Sequence, residues 1–269
     1  MSEWIKVLIL GIVEGITEFL PISSTGHLIV TTALLGFENS LNGTFEIFIQ
    51  LGAVVAVVLF YGRDIIQQVR SLPASRETQQ FWLSIFIAFV PAGITGYLFH
   101  GWIKQVLFTP AVVATSLIIG GIIFLLVERN RPLNSDTPPP NIAISLRQAL
   151  VIGLAQMTAL IPGVSRSGAS IVGGMQAGLS RRTATQFSFY LAVPTLGGAT
   201  VYELFGVIND ISNEQIALLL LGALVSGIVA WLAMGWLLRY VSHNTFVPFG
   251  YYRIAAGLVI LLASAAGVI

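Results

Sequence analysis

Two carboxylates, a run of hydroxyls and a histidine crowd the stretch EGITEFLPISSTGH: Glu14 and Glu18, then Ser23, Ser24 and Thr25, then His27. On a helix, residues four apart share a face. The two carboxylates can therefore hold a divalent cation together, or one can serve as a base. The hydroxyls offer nucleophiles or phosphate ligands, and a histidine moves protons near neutral pH. A second polar cluster, PGVSRSGAS, presents Arg166 between Ser165 and Ser167, with Gly168 next. A guanidinium fork matches phosphate oxygens in pairs. Arg253, in YYRI, could reach a second phosphate or anchor the last span at the membrane interface.

Each feature has a plainer reading. The carboxylates could sit in a solvated mouth, the serines could cap a helix with a hydrogen-bonded histidine beside them, and Arg166 could pair with Glu14 or Glu18. Taken together, the groups fit phosphoryl transfer. Arginine stabilises charge on the phosphoryl oxygens, a cation such as Mg²⁺ or Ca²⁺ held by Glu14 and Glu18 neutralises more, and a hydroxyl or water attacks in line. Two routes stay open: Ser24 as nucleophile with His27 as proton acceptor, or water oriented by Glu18 and His27. The Gly-rich nucleotide loop ending in Lys-Ser or Lys-Thr is absent, which argues against nucleotide hydrolysis.

The elements that must position these groups are apolar. Of 269 residues, 55% are hydrophobic and 9% charged, where a soluble domain carries about 25% charged. With a mean hydropathy of +0.86, the chain is an all-α polytopic membrane protein, because lipid admits only helices and closed barrels and no strand-like alternation is present. An unpaired charge at mid-membrane costs about 2.5–3.5 kcal/mol, so the acidic pair needs compensation. The net charge of +1 suggests no nucleic-acid partner, and the lack of cysteine excludes disulfides and thiolate chemistry. The start of the chain does not read as a cleaved signal peptide, since Glu14 and Glu18 interrupt its apolar run.

Ten apolar segments follow one another, and the first two, like the sixth and seventh, are short and broken by Pro and Gly. Such pairs read as re-entrant hairpins, whose irregular backbone is tolerated only inside protein or against a polar cavity. Shifting the chain by 142 residues superposes them: Gly11 meets Gly153, Ser23 meets Ser165, Gly26 meets Gly168, Gly36 meets Gly178 and Phe45 meets Phe187. This predicts a single membrane domain built as an inverted-topology repeat. Each half is a re-entrant pair plus three transmembrane helices, about 1–133 and 142–269, joined by a polar linker over 134–141. In that architecture the two tips meet near the midplane. Arginines at 63, 70, 76, 129, 131, 147, 181, 182 and 239 mark the cytoplasmic loops. The mouth of the first hairpin then faces outward. Arg181, Arg182, His100 and His243 read as interfacial residues, and Gly173 and Gly174 as helix-packing positions.

In their order and spacing, EGITEFLPISSTGH and PGVSRSG resemble the two signature regions of the undecaprenyl-diphosphate phosphatases, also called bacitracin resistance proteins. FEIFIQLGAVVAV and FSFYLAVP extend the resemblance over essentially the whole chain. The resemblance implies a multi-pass enzyme of the bacterial inner membrane. It would hydrolyse undecaprenyl diphosphate to the monophosphate and so recycle the lipid carrier for peptidoglycan. It also implies dependence on a divalent cation, a site open to the periplasm, and an indirect link to bacitracin through sequestered substrate. The family's essential glutamates fall on Glu14 and Glu18, its hydroxyl and histidine cluster on Ser24, Thr25 and His27, and its arginine on Arg166. A homodimer is compatible with this architecture. The alternative is a secondary transporter or flippase of a polyprenyl phosphate, because broken helices and inverted repeats are transporter traits.

Overall fold

The computed structural model describes residues 1–37, 44–129, 131, 144–207 and 213–267. Eleven α-helices appear among them: α1 (Glu3–Thr17), α2 (Ser24–Leu35), α3 (Thr44–Phe60), α4 (Gly62–Ser71), α5 (Arg76–Val106), α6 (Pro110–Glu128), α7 (Leu146–Met157), α8 (Arg166–Gln176), α9 (Arg181–Val207), α10 (Asn213–Val241) and α11 (Val247–Ala265). No strand occurs among the described residues. The expected linker over 134–141 lies outside them.

Local chemistry sets the boundaries. Ser75 and Thr109 cap α5 and α6 through their hydroxyls, and Pro110 opens α6 where its missing N–H costs nothing. Ser145 and Gln148 form a reciprocal capping box at α7. Gly36 ends α2 in the left-handed conformation, which glycine adopts without strain.

Four helices are long and apolar enough to cross a membrane: α5, α6, α10 and α11. A fifth crossing is formed by α3 and α4 if they are taken as one span, bent by 64° at Tyr61. The remaining expected span, α9, has 27 residues but is too polar to pass the same test. Its surroundings explain why. Phe187, Phe189, Tyr190, Leu191 and Ala192 are buried, as are Thr185 and Ser188. A helix wrapped by protein does not need an apolar face toward lipid.

In the packing, α6 lies on α11, α3 on α9 and α10, α1 on α10, and α5 on α7, while α8 rests against α7 and α9. Two glycines illustrate how closely the helices approach. A Cβ at Gly11 would stand 2.9 Å from the Gly222 carbonyl oxygen, and one at Gly153 would stand 2.7 Å from that of Ala88. Outward, large apolar side chains such as Phe86, Ile119, Leu224 and Leu262 are exposed. That is the distribution a hydrocarbon solvent selects.

Candidate active site

Both broken pairs end in turns of one design. After α1, the chain breaks at Phe19–Ser23 around Pro21, and Ser23 takes φ 71° before α2 begins at Ser24. After α7 comes a 3-10 turn over Thr158–Leu160. Gly163 then takes φ 91° and Ser165 φ 72°, and α8 begins at Arg166. Ser24 and Arg166 are therefore the first residues of their helices, each aimed from a helix N-terminus.

The tips touch. Arg166 Nη2 donates to Glu18 Oε1 at 3.0 Å, and Ser24 Oγ donates to Glu18 Oε2 at 2.6 Å. Ser167 Oγ donates to the Leu20 carbonyl at 3.0 Å. Arg166 is seated from α9: Nη1 donates to the Ser188 carbonyl at 3.0 Å, and Ser188 Oγ pairs with Ser170 Oγ at 2.7 Å. The guanidinium also lies 5.5 Å from the Phe19 ring centroid. Its Nε is buried without a partner. Ser165 Oγ accepts from the Gly168 N–H at 3.1 Å and meets Ser167 Oγ at 3.1 Å. Glu18, Ser23, Ser24, Ser165 and Ser167 are all buried. Thr25 is half-buried in the first turn of α2.

His27 sits one turn after Ser24. Its Nδ1 lies 2.8 Å from the Ser23 carbonyl and its Nε2 2.6 Å from Tyr252 Oη. The serine–histidine couple expected from sequence is thus not formed here, because Ser24 gives its proton to Glu18. Arg253 also differs from expectation. It is 0% exposed, so it is no interfacial anchor. Its guanidinium donates to carbonyls of both tips: Nη1 to Pro21 at 3.1 Å, and Nη2 to Gly163 at 3.1 Å and Val164 at 2.9 Å. With its N–H groups taken by backbone, Arg253 clamps the tips rather than offering a fork to phosphate. Gly168 leaves room for it, since a Cβ there would come within 3.2 Å of Arg253 Nη1.

Arg181 is a further difference from the sequence reading. It is buried and pairs with Glu128 through Nε at 3.0 Å and Nη2 at 2.5 Å. Glu128 also accepts the Phe246 N–H at 2.8 Å. This ion pair ties α6, α9 and the start of α11 together, and it is not an interfacial marker. His100 joins Lys104 on Glu203, linking α5 to α9.

Glu14 bears on the cation question. It is 0% exposed, and neither carboxylate oxygen has a hydrogen-bond partner. Glu46 on α3 buries one unpartnered oxygen as well. Among the described residues no three His, Cys, Asp or Glu side chains form a metal-binding group. Mg²⁺ usually takes only one or two carboxylates, completed by water and substrate phosphates. An orphaned buried carboxylate one turn from Glu18 fits that demand.

Tyr252, Ser188 and Ser170 were not singled out from sequence. Tyr252 is next to Arg253 in YYRI, and Ser188 lies in FSFYLAVP, but neither stretch shows by itself what its hydroxyl meets.

The two broken hairpins of this helical membrane protein bring carboxylate, hydroxyl and guanidinium into one buried group, an arrangement whose chemistry suits an anionic group. The sequence profile of the family described as "Bacitracin resistance protein BacA" matches residues 7–259, and the chain belongs to that family. It is 48% identical to a protein named undecaprenyl-diphosphatase from a Polaromonas species and 49% identical to one so named from Albidiferax ferrireducens. Each match covers 98% of this chain and 96% of the relative. Undecaprenyl-diphosphatase 1 of Burkholderia cenocepacia is 45% identical, with 98% of each chain covered.

Proposed function

We propose that this protein is an integral membrane phosphatase that hydrolyses undecaprenyl diphosphate to undecaprenyl phosphate and inorganic phosphate, returning the lipid carrier to peptidoglycan synthesis. The observation that carries the reading is the continuous Arg166–Glu18–Ser24 contact across the two tips. The names of the full-length relatives support the substrate.

Arg166, with its unpartnered Nε, and the N-terminal turn of α8 would receive the diphosphate, since helix N-termini favour anions. Ser23 caps α2 without a side-chain bond, so that helix also offers N–H groups. When bound between Glu14 and Glu18, a divalent cation would neutralise diphosphate charge. Ser24 Oγ attacks the terminal phosphorus as its proton passes to Glu18 Oε2. The Ser24 O–P bond forms, the bridging P–O bond breaks, and the lipid monophosphate leaves. Water then attacks the phosphoserine as His27 takes its proton; the Ser24 O–P bond breaks, inorganic phosphate leaves, and Ser24 recovers its proton from Glu18. On the alternative route Glu18 takes the proton of an attacking water instead.

The inverted repeat is part of the same proposal. It is supported by the twin left-handed serines 142 residues apart, by Gly36 and Gly178, which are left-handed at the same separation, and by the reciprocal packing of α1 on α10 and α7 on α5. The arginine-rich loops favour a bacterial inner-membrane orientation with the first hairpin open to the periplasm. Bacitracin would act only by sequestering the substrate.

The test is phosphate release from undecaprenyl diphosphate by purified protein in detergent, with and without chelator, for wild type and Glu18→Ala. Wild type should turn over and the variant should not. No release by the wild type, together with carrier movement in vesicles, would assign a transporter instead. A trapped phosphoserine at Ser24, against substantial turnover by Ser24→Ala, separates the two attack routes.

A further inference from the structure

The hydrogen bond between His27 and Tyr252 joins α2 to α11 across 225 positions of sequence. Its geometry fixes the histidine. The Ser23 carbonyl can only accept, so His27 Nδ1, 2.8 Å away, must carry a hydrogen. In the neutral ring Nε2 is then the lone-pair nitrogen, and Tyr252 Oη, at 2.6 Å, donates to it. The two ring planes are parallel within 2°, with centroids 5.6 Å apart. The imidazole is thus held at both nitrogens, by backbone on one side and by a phenol on the other.

We infer that Tyr252 is the positioning residue for His27, fixing its ring orientation through the hydrogen bond at Nε2 while the Ser23 carbonyl sets the tautomer at Nδ1. In a histidine that works by proton transfer, the bond at one nitrogen decides which nitrogen does the work. Nδ1 is committed to a carbonyl, so only Nε2 can gain or lose a proton. Tyr252 is 46% exposed, whereas Ser24 and Glu18 are buried. The phenol therefore holds the histidine from an exposed face of α11. The neighbouring Arg253 fixes the backbone of both tips from the same turn of α11. That turn sets the carbonyl frame through one residue and the imidazole through the next.

This inference rests on the phosphatase reading for its kinetic consequence, but not for its structural one. The probe is Tyr252→Phe, which keeps the ring and removes the hydroxyl. With only three histidines in the chain, ¹⁵N-histidine labelling and a His27→Gln variant identify the His27 signals in detergent. Wild type should show a single neutral tautomer protonated at Nδ1. Tyr252→Phe should keep that tautomer, which the Ser23 carbonyl holds, but shift the Nε2 resonance as its hydrogen bond is lost, with an unchanged melting temperature. On undecaprenyl diphosphate its kcat should fall roughly 10–100-fold, as when other partners that orient a histidine are removed, while KM stays within about twofold.

An unchanged His27 spectrum and kcat in Tyr252→Phe would overturn the inference. So would a raised KM at wild-type kcat, which would make Tyr252 a substrate contact. If the wild type releases no phosphate, the phosphatase reading fails, and the His27 Nε2 resonance alone decides the role of Tyr252.

Discussion

Ser23 and Ser165 adopt the same left-handed backbone, with φ of 71° and 72°, and among the described residues no other non-glycine residue has a positive φ. Each stands directly before the helix whose first residue enters the site. A Cβ in this conformation crowds the backbone by about 1–2 kcal/mol, and strain of this kind gathers where geometry serves function.

Replacing either serine by valine should therefore lower stability by at least about 1–2 kcal/mol, because β-branching worsens the left-handed strain. Ser23→Gly should fold at least as well as wild type. Thermal unfolding in detergent reads both, and equal melting temperatures for Ser23→Val and Ser23→Gly would contradict the backbone assignment.

The Glu18–Arg166 pair predicts a separation of stability from activity. Arg166→Ala leaves a buried carboxylate unpaired, which costs about 3–5 kcal/mol, and should slow turnover by at least about 10²-fold. Adding Glu18→Gln should recover much of the stability and none of the activity. A double variant as unstable as Arg166→Ala alone would mean that the two side chains do not share their charge.

Chelation should bring phosphate release to background. Glu14→Gln, which keeps shape and removes charge, should raise the Mg²⁺ concentration needed for half-maximal rate by roughly 10–100-fold. Direct titration of Mg²⁺ into wild type and variant gives a readout independent of turnover. Identical binding in the two would remove Glu14 from the cation site.

Arg181→Ala should behave differently. It breaks the buried pair with Glu128 and leaves that carboxylate with the Phe246 N–H. A stability loss of about 3–5 kcal/mol is expected, with specific activity per folded molecule close to wild type. A large fall in kcat at full stability would place Arg181 in the chemistry instead.

Much of this was legible in the sequence where chemistry is local. Glu18, Ser24, His27 and Arg166 stand in short polar runs inside apolar segments, and burial makes such runs conspicuous. The 142-residue shift marks Ser23 and Ser165 as equivalent. What escaped was pairing over distance. Tyr252 reads as one more aromatic on an apolar helix, and nothing in YYRI tells that its hydroxyl meets His27. Arg253 and Arg181 look like interfacial charges, because a sequence shows that an arginine is present but not that carbonyls or a carboxylate enclose it. The expected span at 184–205 is wrapped by protein over its first half because polar residues there face neighbours such as Arg166, which the linear pattern cannot assign.

The Arg253 clamp has a consequence for biogenesis. Both tips borrow their fixed carbonyl frame from a side chain near the start of α11, so the grouping cannot close while that helix is still being threaded into the bilayer. A nascent chain halted before Val247 would already hold Glu18, Ser24, His27 and Arg166 and still lack the Arg253 clamp and the Tyr252 hydroxyl. Docking of that last helix is what seats both tips on one guanidinium.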